Sequence, residues 1–297
     1  MVSPAAEIDI DERLVRSLLR EQHPDLAELP LREFEVGWDN TLWRVGDELM
    51  ARLPRRALAA SLTLNEQRWL PSHGPLLPLP IPTPLRAGIP SAEYPWAWSI
   101  VPWFAGTPGD RGAIGSPALV AEQLGGFLRA LHQAAPPSAP INPFRGVPLA
   151  DRADTFEERV KDLASEIDVP TLRDVWDRAC AASPWCGPPV WLHGDLHPAN
   201  ILLAEGVLSA VIDFGDLCSG DPATDLAAGW MLLPPSAISA LRNTYGGISS
   251  NLEARALGWS ILVGTMLLAI GLDDRPTYEP IGRRTLDNVI VHATARA

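Results

Sequence analysis

The character of the sequence changes at a proline- and glycine-rich stretch, residues 102–116, and this change constrains the fold more than any other feature. Before it, short apolar runs bounded by turn residues predict β-strands. Beyond it, apolar residues recur mainly at helical spacing. We therefore predict an α+β protein with an N-terminal antiparallel sheet and a larger, mainly helical C-terminal part. The predicted strands of the sheet are 34–36, 41–45, 48–53, 84–89 and 97–101, and the predicted helices include 58–70, 117–134, 151–167, 170–182, 222–232, 235–244, 251–272 and 282–293.

The length of the chain predicts two lobes. Its 297 residues exceed the usual size of one compact domain and fall short of what three would need. Hydrophobic residues make up 46%, enough to offset the conformational entropy lost in ordering a large core. We place the lobes at 1–104 and 105–297, with a hinge at about 101–106.

The net charge of the chain limits the kinds of partner that it is expected to bind. The net charge is -12, from 36 acidic and 24 basic residues. Such a field repels the phosphate backbone of nucleic acids and the surface of an anionic membrane, so we expect neither as a partner. It favours a cationic small molecule only weakly, because many cytosolic proteins are acidic for solubility alone. The oligomeric state cannot be read from the sequence.

Cysteine usage and the chain start predict a cytoplasmic protein. The three cysteines are an odd number without CxxC spacing, and residues 1–13 lack the basic and apolar regions of a secretory leader. One apolar stretch, 257–272, resembles a membrane span in composition. As a helix it would cover roughly 24 Å, short of the ~30 Å hydrocarbon core. We interpret it as a buried core helix.

Chemistry is concentrated in residues 191–216, where polar side chains stand at the ends of short apolar strands. Asp195 is followed by Asn200 and, after a predicted hairpin, by Asp213. Transfer of a γ-phosphoryl group needs an oriented acceptor hydroxyl and magnesium to neutralise the phosphate oxygens. Asp195 can accept the hydroxyl proton, while Asn200 and Asp213 offer the hard oxygen ligands that magnesium prefers.

The same stretch carries a family resemblance. The sequences HGDLHPANIL and VIDFGD, continued by GDPATDLA at 220–227, resemble the catalytic and metal-binding loops of the aminoglycoside phosphotransferase family. That family is similar in fold to protein kinases, so the resemblance implies a bilobal kinase-like fold. It also implies that Asp195 is the catalytic base, that Asn200 and Asp213 bind Mg²⁺, and that ATP or GTP is the phosphoryl donor.

Two further residues of this region are predicted to support the catalytic loop. By the resemblance, Asp225 is a buried carboxylate that holds the loop through backbone N–H groups. His193 could suggest a nucleophile, but the first residue of this motif in kinases supports the loop by packing and hydrogen bonding. HGD or DFG alone often occurs by chance. Here HGD, DFG and GDP follow one another in the expected order, with Asn200 and Asp225 in place, and this combination argues against a chance match.

The nucleotide end of the predicted cleft lies in the N-terminal lobe. The turn around Gly37 and Asn40 falls where protein kinases place a glycine-rich cover over the ATP phosphates. No GxxxxGK[ST] motif is present, which disfavours a P-loop fold. Where kinases carry a strand lysine, this chain has Arg52, whose fork can bind phosphate oxygens, with Glu66 as its natural partner. Arg55 and Arg56 compete with Arg52 for that role.

The purine is expected at the hinge. Backbone groups near Trp103 and Phe104 would meet it, but Pro102 lacks an N–H, so one usual donor is missing. The sequence therefore leaves the choice between ATP and GTP open.

The acceptor is expected to be a small, cationic compound held by carboxylates of the C-terminal lobe. The candidates are Asp216, Asp273, Asp274 and Glu279, although the last three could equally form a solvated turn. The leading interpretation is a kinase of an aminoglycoside or related antibiotic. A metabolic kinase for choline, homoserine, a thioribose or a sugar shares the same loop, and a nucleotide-binding module without transfer activity is a third possibility.

Overall fold

A computed structural model describes residues 5–294, and the few terminal residues assigned to the two predicted lobes, 1–4 and 295–297, lie outside the described residues. The N-terminal part is a five-stranded antiparallel sheet, in which the first three strands are joined by successive hairpins. Its strands are β1 (Leu31–Val36), β2 (Asn40–Val45), β3 (Leu49–Pro54), β4 (Arg86–Gly88) and β5 (Trp98–Pro102), in the spatial order β1-β2-β3-β5-β4.

Two helices accompany this sheet. Helix α1 (Glu12–Gln22) is capped by Asp11, whose side chain accepts the N–H of Leu14 at 2.8 Å. Its apolar residues recur at helical spacing and pack on the sheet. Helix α2 (Ala57–His73) follows β3 and carries Glu66 on its buried side. The core between α1 and the sheet includes Leu14, Val15, Leu18, Leu19, Trp43, Val45, Leu53, Trp98 and Ile100.

The remainder of the chain is mainly helical, as predicted. Its helices pack around one extended apolar core that also includes residues from the small strands. They are α3 (Pro117–Leu131), α4 (Ala153–Asp162), α5 (Val169–Ala181), α6 (Ala223–Leu232), α7 (Ile238–Tyr245), α8 (Ser250–Asp273) and α9 (Glu279–Thr294).

Two small sheets carry the polar motifs. One contains β6 (Thr107–Pro108), β8 (Ile201–Ala204) and β9 (Val207–Val211); the other pairs β7 (Val190–Leu192) with β10 (Cys218–Gly220). Strands β8 and β9 form the predicted hairpin, with Glu205 and Gly206 in left-handed conformations at its tip. The hairpin therefore returns the chain from Asn200 to Asp213.

The connection between the large sheet and the helical part is short. Strand β5 ends at Pro102, and β6, which belongs to a different sheet, begins at Thr107. The hinge at 101–106 and the lobe bounds 1–104 and 105–297 stay predictions. The division of function between the two lobes stays a prediction.

Helix α8 contains the apolar stretch that resembles a membrane span. It is the one helix in residues 5–294 that is long and apolar enough to cross a membrane, with a mean hydropathy of 1.7 in its most apolar window. Because 78% of that window is buried against the rest of the protein, α8 is placed as a core helix.

Several predicted boundaries were wrong by a few residues. Helix α2 continues through Pro71 to His73, whereas the sequence predicted a loop from Pro71 onward. Pro71 has no N–H to donate to the carbonyl of Gln67, so it costs one helical hydrogen bond, and α2 ends two residues later. The predicted helix 151–167 is shorter, since a 3-10 turn (Leu149–Arg152) precedes α4 and the helix ends at Asp162.

Candidate active site

The predicted catalytic loop follows β7 and is held by one buried carboxylate. The two oxygens of Asp225 accept backbone N–H groups from His193 at 2.6 Å and from Gly194 at 2.9 Å. Asp225 is fully buried, and Nε2 of His132 lies 3.3 Å from its Oδ2. Because a buried carboxylate is stabilised by such donors, Asp225 fixes the backbone immediately before Asp195.

The ring of His193 also holds this loop together. Its Nε2 donates to the carbonyl of Ile212 at 2.9 Å, and its Nδ1 accepts the N–H of Asp195 at 3.3 Å. The ring packs against Phe214 with 4.5 Å between centroids. Both ring nitrogens are engaged and the residue is buried, which suits a supporting role and not a nucleophile.

Close contact between two loops requires glycine at position 194. Gly194 has a φ of +86°, and a Cβ there would lie 2.3 Å from the carbonyl oxygen of Asp216. No side chain fits in that space. The loop carrying Asp195 is thereby held directly against the segment that begins at Asp213.

The two predicted metal ligands stand at the base of the hairpin. The N–H of Ile212, next to Asp213, donates to the carbonyl of Asn200 at 2.9 Å. The side-chain amide of Asn200 donates to the carbonyl of Asp195 at 2.9 Å. Asp213 adopts a left-handed conformation with φ +63°, and its side chain is 56% exposed. The three residues on which phosphoryl transfer was predicted to depend are therefore brought together.

The donor set fits magnesium held jointly with a nucleotide. The residues described by the structure contain no group of three or more His, Cys, Asp or Glu side chains placed to hold a metal alone. Magnesium at a phosphoryl-transfer site needs fewer protein ligands, because phosphate oxygens and water complete its shell. One amide oxygen from Asn200 and one exposed carboxylate from Asp213 meet that requirement.

Arg52 connects the N-terminal lobe to this centre. Its Nη1 lies 2.9 Å from Oε1 of Glu66, and its Nη2 donates to Oδ1 of Asp213 at 3.1 Å. Arg52 and Glu66 are 7% and 4% exposed. Burial raises the pKa of Glu66 to about 7, against the opposing charge of Arg52. The predicted partnership of Arg52 and Glu66 is present.

The competing arginines lie elsewhere. Arg55 donates to the carbonyl of Gly37 at 2.8 Å, and Nε of Arg56 donates to Asp39 at 3.1 Å. The turn closes where the N–H of Gly37 donates to the carbonyl of Asn40 at 2.9 Å. Arg55 and Arg56 thus hold the turn between β1 and β2, while Arg52 reaches the centre of the cleft.

The hinge offers fewer free groups than the sequence suggested. The N–H of Trp103 donates to the carbonyl of Glu48 at 2.7 Å, so this donor is already engaged. The Trp103 ring packs edge-on against Phe34, 4.7 Å between centroids, with the guanidinium of Arg44 4.0 Å above it. Phe104 follows, partly buried. A purine could use the carbonyl of Trp103 but not its N–H.

A residue that the sequence analysis missed contacts the predicted base. Nη2 of Arg145 donates to Oδ1 of Asp195 at 2.9 Å, and Nε2 of His197 lies 3.6 Å from Oδ2. Burial disfavours the ionised form of Asp195, but the charges of Arg145 and His197 outweigh it and hold the pKa of this carboxyl well below its usual range. Asp195 is therefore ionised at neutral pH.

Of the four predicted acceptor carboxylates, Asp216 lies closest to the base. Asn142 donates to its Oδ1 at 2.6 Å. Burial and the charge of Asp195 raise the pKa of Asp216 to about 6. Asp216 is thus part of the same electrostatic cluster as Asp195.

The other three acceptor candidates lie at the junction of α8 and α9. Asp273 is the last residue of α8, Asp274 follows it, and Glu279 begins α9. Glu279 accepts a hydrogen bond from Nε of Arg283 at 2.9 Å, one turn along the same helix. Because both side chains of this pair are more than a third exposed, Glu279 is a surface residue in an ion pair.

The same junction reaches the cleft through residues that were not predicted. The ring of Tyr278 lies 6.4 Å from that of His197, between centroids. Arg275 donates to the carbonyl of Val36 at 3.4 Å, and its guanidinium lies 6.0 Å from the ring of Trp38. The junction therefore bridges the catalytic loop and the β1–β2 turn, across the mouth of the cleft.

Comparison with known proteins places this geometry in a family. The model of the phosphotransferase enzyme family matches residues 30–259, which include every motif described above. No curated protein matches the chain.

Solved structures with a similar fold include aminoglycoside and macrolide phosphotransferases. The GDP and kanamycin complex of APH(2")-IIia has a TM-score of 0.69 at 20% identity, over 93% of this chain and 97% of that one. The macrolide 2'-phosphotransferase MphH from Brachybacterium faecium gives 0.61 at 22%, over 91% and 97%. The streptomycin-ATP-APH(2")-IIa ternary complex gives 0.59 at 17%, over 92% and 95%.

At these identities the structural likeness establishes the fold, and the family match establishes the kind of enzyme. The predicted bilobal kinase-like fold and the predicted enzyme class, a phosphotransferase with a hydroxyl acceptor, are both confirmed. The chain belongs to the phosphotransferase enzyme family.

Proposed function

We propose that this protein transfers the γ-phosphoryl group of ATP or GTP, with Mg²⁺, to a hydroxyl of a small molecule. One observation carries the proposal, namely that two hydrogen bonds connect the three residues. The side-chain amide of Asn200 donates to the carbonyl of Asp195 at 2.9 Å, and the N–H of Ile212, the residue before Asp213, donates to the carbonyl of Asn200. A proton acceptor and two oxygen ligands therefore share one end of the cleft.

Asp195 is the proposed base. Its Oδ1 accepts from Arg145, and its Oδ2, 3.6 Å from Nε2 of His197, is the oxygen proposed to receive the proton of the acceptor hydroxyl. The depressed pKa of Asp195 means that this residue is ionised before the acceptor binds. Such a group orients the hydroxyl and takes up its proton as the hydroxyl oxygen bonds to the γ-phosphorus. The bond from that phosphorus to the β–γ bridging oxygen breaks, and ADP or GDP leaves.

Asn200 and Asp213 are the proposed magnesium ligands, through the amide oxygen of the first and the carboxylate of the second. Bound magnesium neutralises charge on the β- and γ-phosphate oxygens. Arg52 donates to Oδ1 of Asp213 at 3.1 Å and partly neutralises this carboxylate. The proposed contact of Arg52 with phosphate therefore lies beside the metal ligand.

The cover of the phosphates is assigned to the β1–β2 turn. The N–H of Gly37 donates to the carbonyl of Asn40, and Arg55 donates to the carbonyl of Gly37. The turn is therefore stabilised by its own hydrogen bonds and by one from β3's flanking residue Arg55. The purine is assigned to the hinge at Trp103 and Phe104. Both ATP and GTP remain candidates, since ATP and GDP each occur in complexes of the related structures.

Two classes of acceptor are proposed. Aminoglycosides and related antibiotics are supported by the kanamycin and streptomycin complexes of related structures. Metabolic hydroxyl compounds form the second class. One observation favours that class: the base is paired with Arg145, a cation, on the side where a polyamine would have to approach. We place the reaction in the cytoplasm.

A coupled assay tests the proposal. The purified chain is given ATP or GTP, Mg²⁺ and a panel of aminoglycosides, macrolides, amino alcohols, hydroxy acids and sugars, and release of ADP or GDP is followed. We expect turnover with at least one acceptor that stops when EDTA removes the metal. Tight binding of Mg-nucleotide without turnover on any acceptor would support the third possibility, a nucleotide-binding module.

A further inference from the structure

We infer that the acceptor of this enzyme carries an anionic group, a carboxylate in the first instance, which Arg145, Arg152 and Arg159 bind while its hydroxyl meets Asp195. The inference rests on the proposed kinase function and names the substrate class of the same site. It is carried by Arg145, which contacts the base and keeps an unused buried donor, and by the two arginines whose charges act on it.

The loop that carries Arg145 is fixed in place. The N–H of Gly146 donates to Oγ1 of Thr224 at 3.1 Å, and its carbonyl accepts the N–H of Asp221 at 3.0 Å. A Cβ on Gly220 would lie 2.2 Å from the carbonyl oxygen of Gly146. Arg145 is therefore held at Asp195 by a close-packed backbone and not by chance rotation of a surface side chain.

The side chain of Arg145 is mostly buried, yet not all of its hydrogen-bond donors have a partner. Its side chain is 16% exposed; Nη2 donates to Asp195, and Sδ of Met266 lies 4.0 Å away. The buried Nε has no partner among the described residues. A buried guanidinium with an unused donor beside the reacting atoms is the arrangement that an incoming carboxylate oxygen would complete.

Arg159 contacts α8, the helix that Arg145 also contacts. Its Nη1 donates to the carbonyl of Leu262 at 2.7 Å. Leu262 and Met266 are four residues apart on α8, so Arg145 and Arg159 contact one face of that helix about one turn, roughly 5.4 Å, apart. The two side chains are also close enough for the charge of Arg145 to act on Arg159.

Arg152 completes the set. Its guanidinium lies 5.1 Å from the ring of Phe144, which is 56% exposed on the same loop as Arg145. In residues 5–294, neither Arg152 nor Arg159 forms an ion pair within 4.0 Å of a carboxylate. Glu158 is the carboxylate whose charge acts on Arg159, but at longer range.

The three cations are in electrostatic contact. Burial and then the charges of Arg145 and Arg152 lower the pKa of Arg159 to about 10. Burial and the charge of Arg145 also lower the pKa of Arg152. Arg145, which contacts Asp195, thus has two further guanidinium groups close enough to act on it electrostatically. In a chain with net charge -12, this local positive excess repels a polyamine and attracts an anion.

Matched acceptors give the direct test. Hydroxy amino acids and sugar acids are compared with their own amides, and with kanamycin and streptomycin, under saturating Mg-nucleotide. We expect kcat/KM for the acid to exceed that for its amide by at least ~10², because the amide leaves buried guanidinium donors without a charged partner. Equal rates for acid and amide, or turnover confined to the aminoglycosides, would overturn the inference.

A double variant locates the effect. Arg152→Gln with Arg159→Gln removes the two arginines that do not touch Asp195, and Arg178→Gln, an exposed residue paired with Asp174 on α5, is the matched control. We expect the preference for acid over amide to fall at least ~10-fold in the double variant and to persist in the control. An unchanged preference in a folded double variant, judged by its thermal midpoint, would contradict the assignment.

Failure of the kinase itself is distinguishable. If no acceptor is phosphorylated, protection by Mg-nucleotide against thermal unfolding separates two outcomes. Protection without turnover on any hydroxy acid overturns the inferred acceptor class, while loss of protection overturns the proposed function.

Discussion

Two arginine–aspartate pairs occupy the centre of the cleft, and their surroundings differ. On the nucleotide side, Arg52 lies between two carboxylates, Glu66 and Asp213. On the proposed acceptor side, Arg145 pairs with one carboxylate, Asp195, and has two further arginines near it. The comparison teaches that the nucleotide side is neutralised from within the protein, whereas the acceptor side carries positive charge that a ligand can neutralise.

Removing the arginine of the neutralised pair should have the largest effect on stability. Arg52→Ala leaves Glu66 buried without its partner, which costs about 3 kcal/mol of unfolding free energy. It should also raise the KM for nucleotide far more than Arg55→Ala, because Arg55 holds only the β1–β2 turn. Urea unfolding and nucleotide kinetics measure both effects.

Arg52→Lys is the matched control for charge. It keeps one cation but loses the fork that reaches Glu66 and Asp213 together, so an intermediate KM is expected. A larger loss of nucleotide affinity in Arg55→Ala than in Arg52→Ala would move the phosphate contact to Arg55.

On the proposed acceptor side, Asp216 should make the unfolding free energy depend on pH. Because the pKa of Asp216 is raised to about 6 from an ordinary value of 3.8, the folded state disfavours the ionised form, and unfolding free energy falls as pH rises from about 4 to about 6. Asp216→Asn should therefore match the parent near pH 4 and be more stable above pH 6, by on the order of 2 kcal/mol. Denaturant titrations across pH measure this, and a parallel loss at every pH would contradict it.

Arg145→Met sharpens the comparison through catalysis. Arg145 depresses the pKa of Asp195 against the effect of burial, so its removal should raise that pKa and move the acid limb of kcat to higher pH. At saturating acceptor we expect kcat at pH 5, relative to pH 7.5, to fall at least about tenfold compared with the parent enzyme. Superimposable pH profiles would show that Arg145 does not act on the base.

The smallest effect on stability and activity is expected at Glu279, on the exposed surface of the α8–α9 junction. Glu279→Gln breaks an exposed pair with Arg283, which contributes about 0.5 kcal/mol or less to stability. We expect the acceptor KM to change by less than about threefold, as the site inferred here lies at the arginines. A large rise in KM for an aminoglycoside would instead restore Glu279 to the acceptor site.

Local sequence sufficed for the catalytic loop and the hairpin. Asp195, Asn200 and Asp213 lie within one continuous stretch, so a turn and two short strands determine their relation. Arg145 lies 50 residues from Asp195 and outside any regular element, and no local pattern connects it to the base. The packing of Gly146 on Gly220 and the hydrogen bonds of Gly146 to Thr224 and Asp221 bring it there.

The hinge and the α8–α9 junction show the same limit. That the N–H of Trp103 is already bonded to Glu48 depends on the register of β3 against β5, which the sequence does not specify. The acidic residues of the junction were predicted to bind the acceptor because of their charge. The residues of the junction that face the cleft, Tyr278 and Arg275, carry no such signal.

The central claim is that Asp195 and Asp213 serve one reaction in different roles, and a parallel measurement of Asp195→Ala and Asp213→Ala tests it most directly. With a verified acceptor, we expect Asp195→Ala to lower kcat by at least ~10² while Mg-nucleotide binding persists, and Asp213→Ala to abolish the magnesium-dependent part of that binding. Full turnover in Asp195→Ala, or unchanged magnesium dependence in Asp213→Ala, would contradict the account.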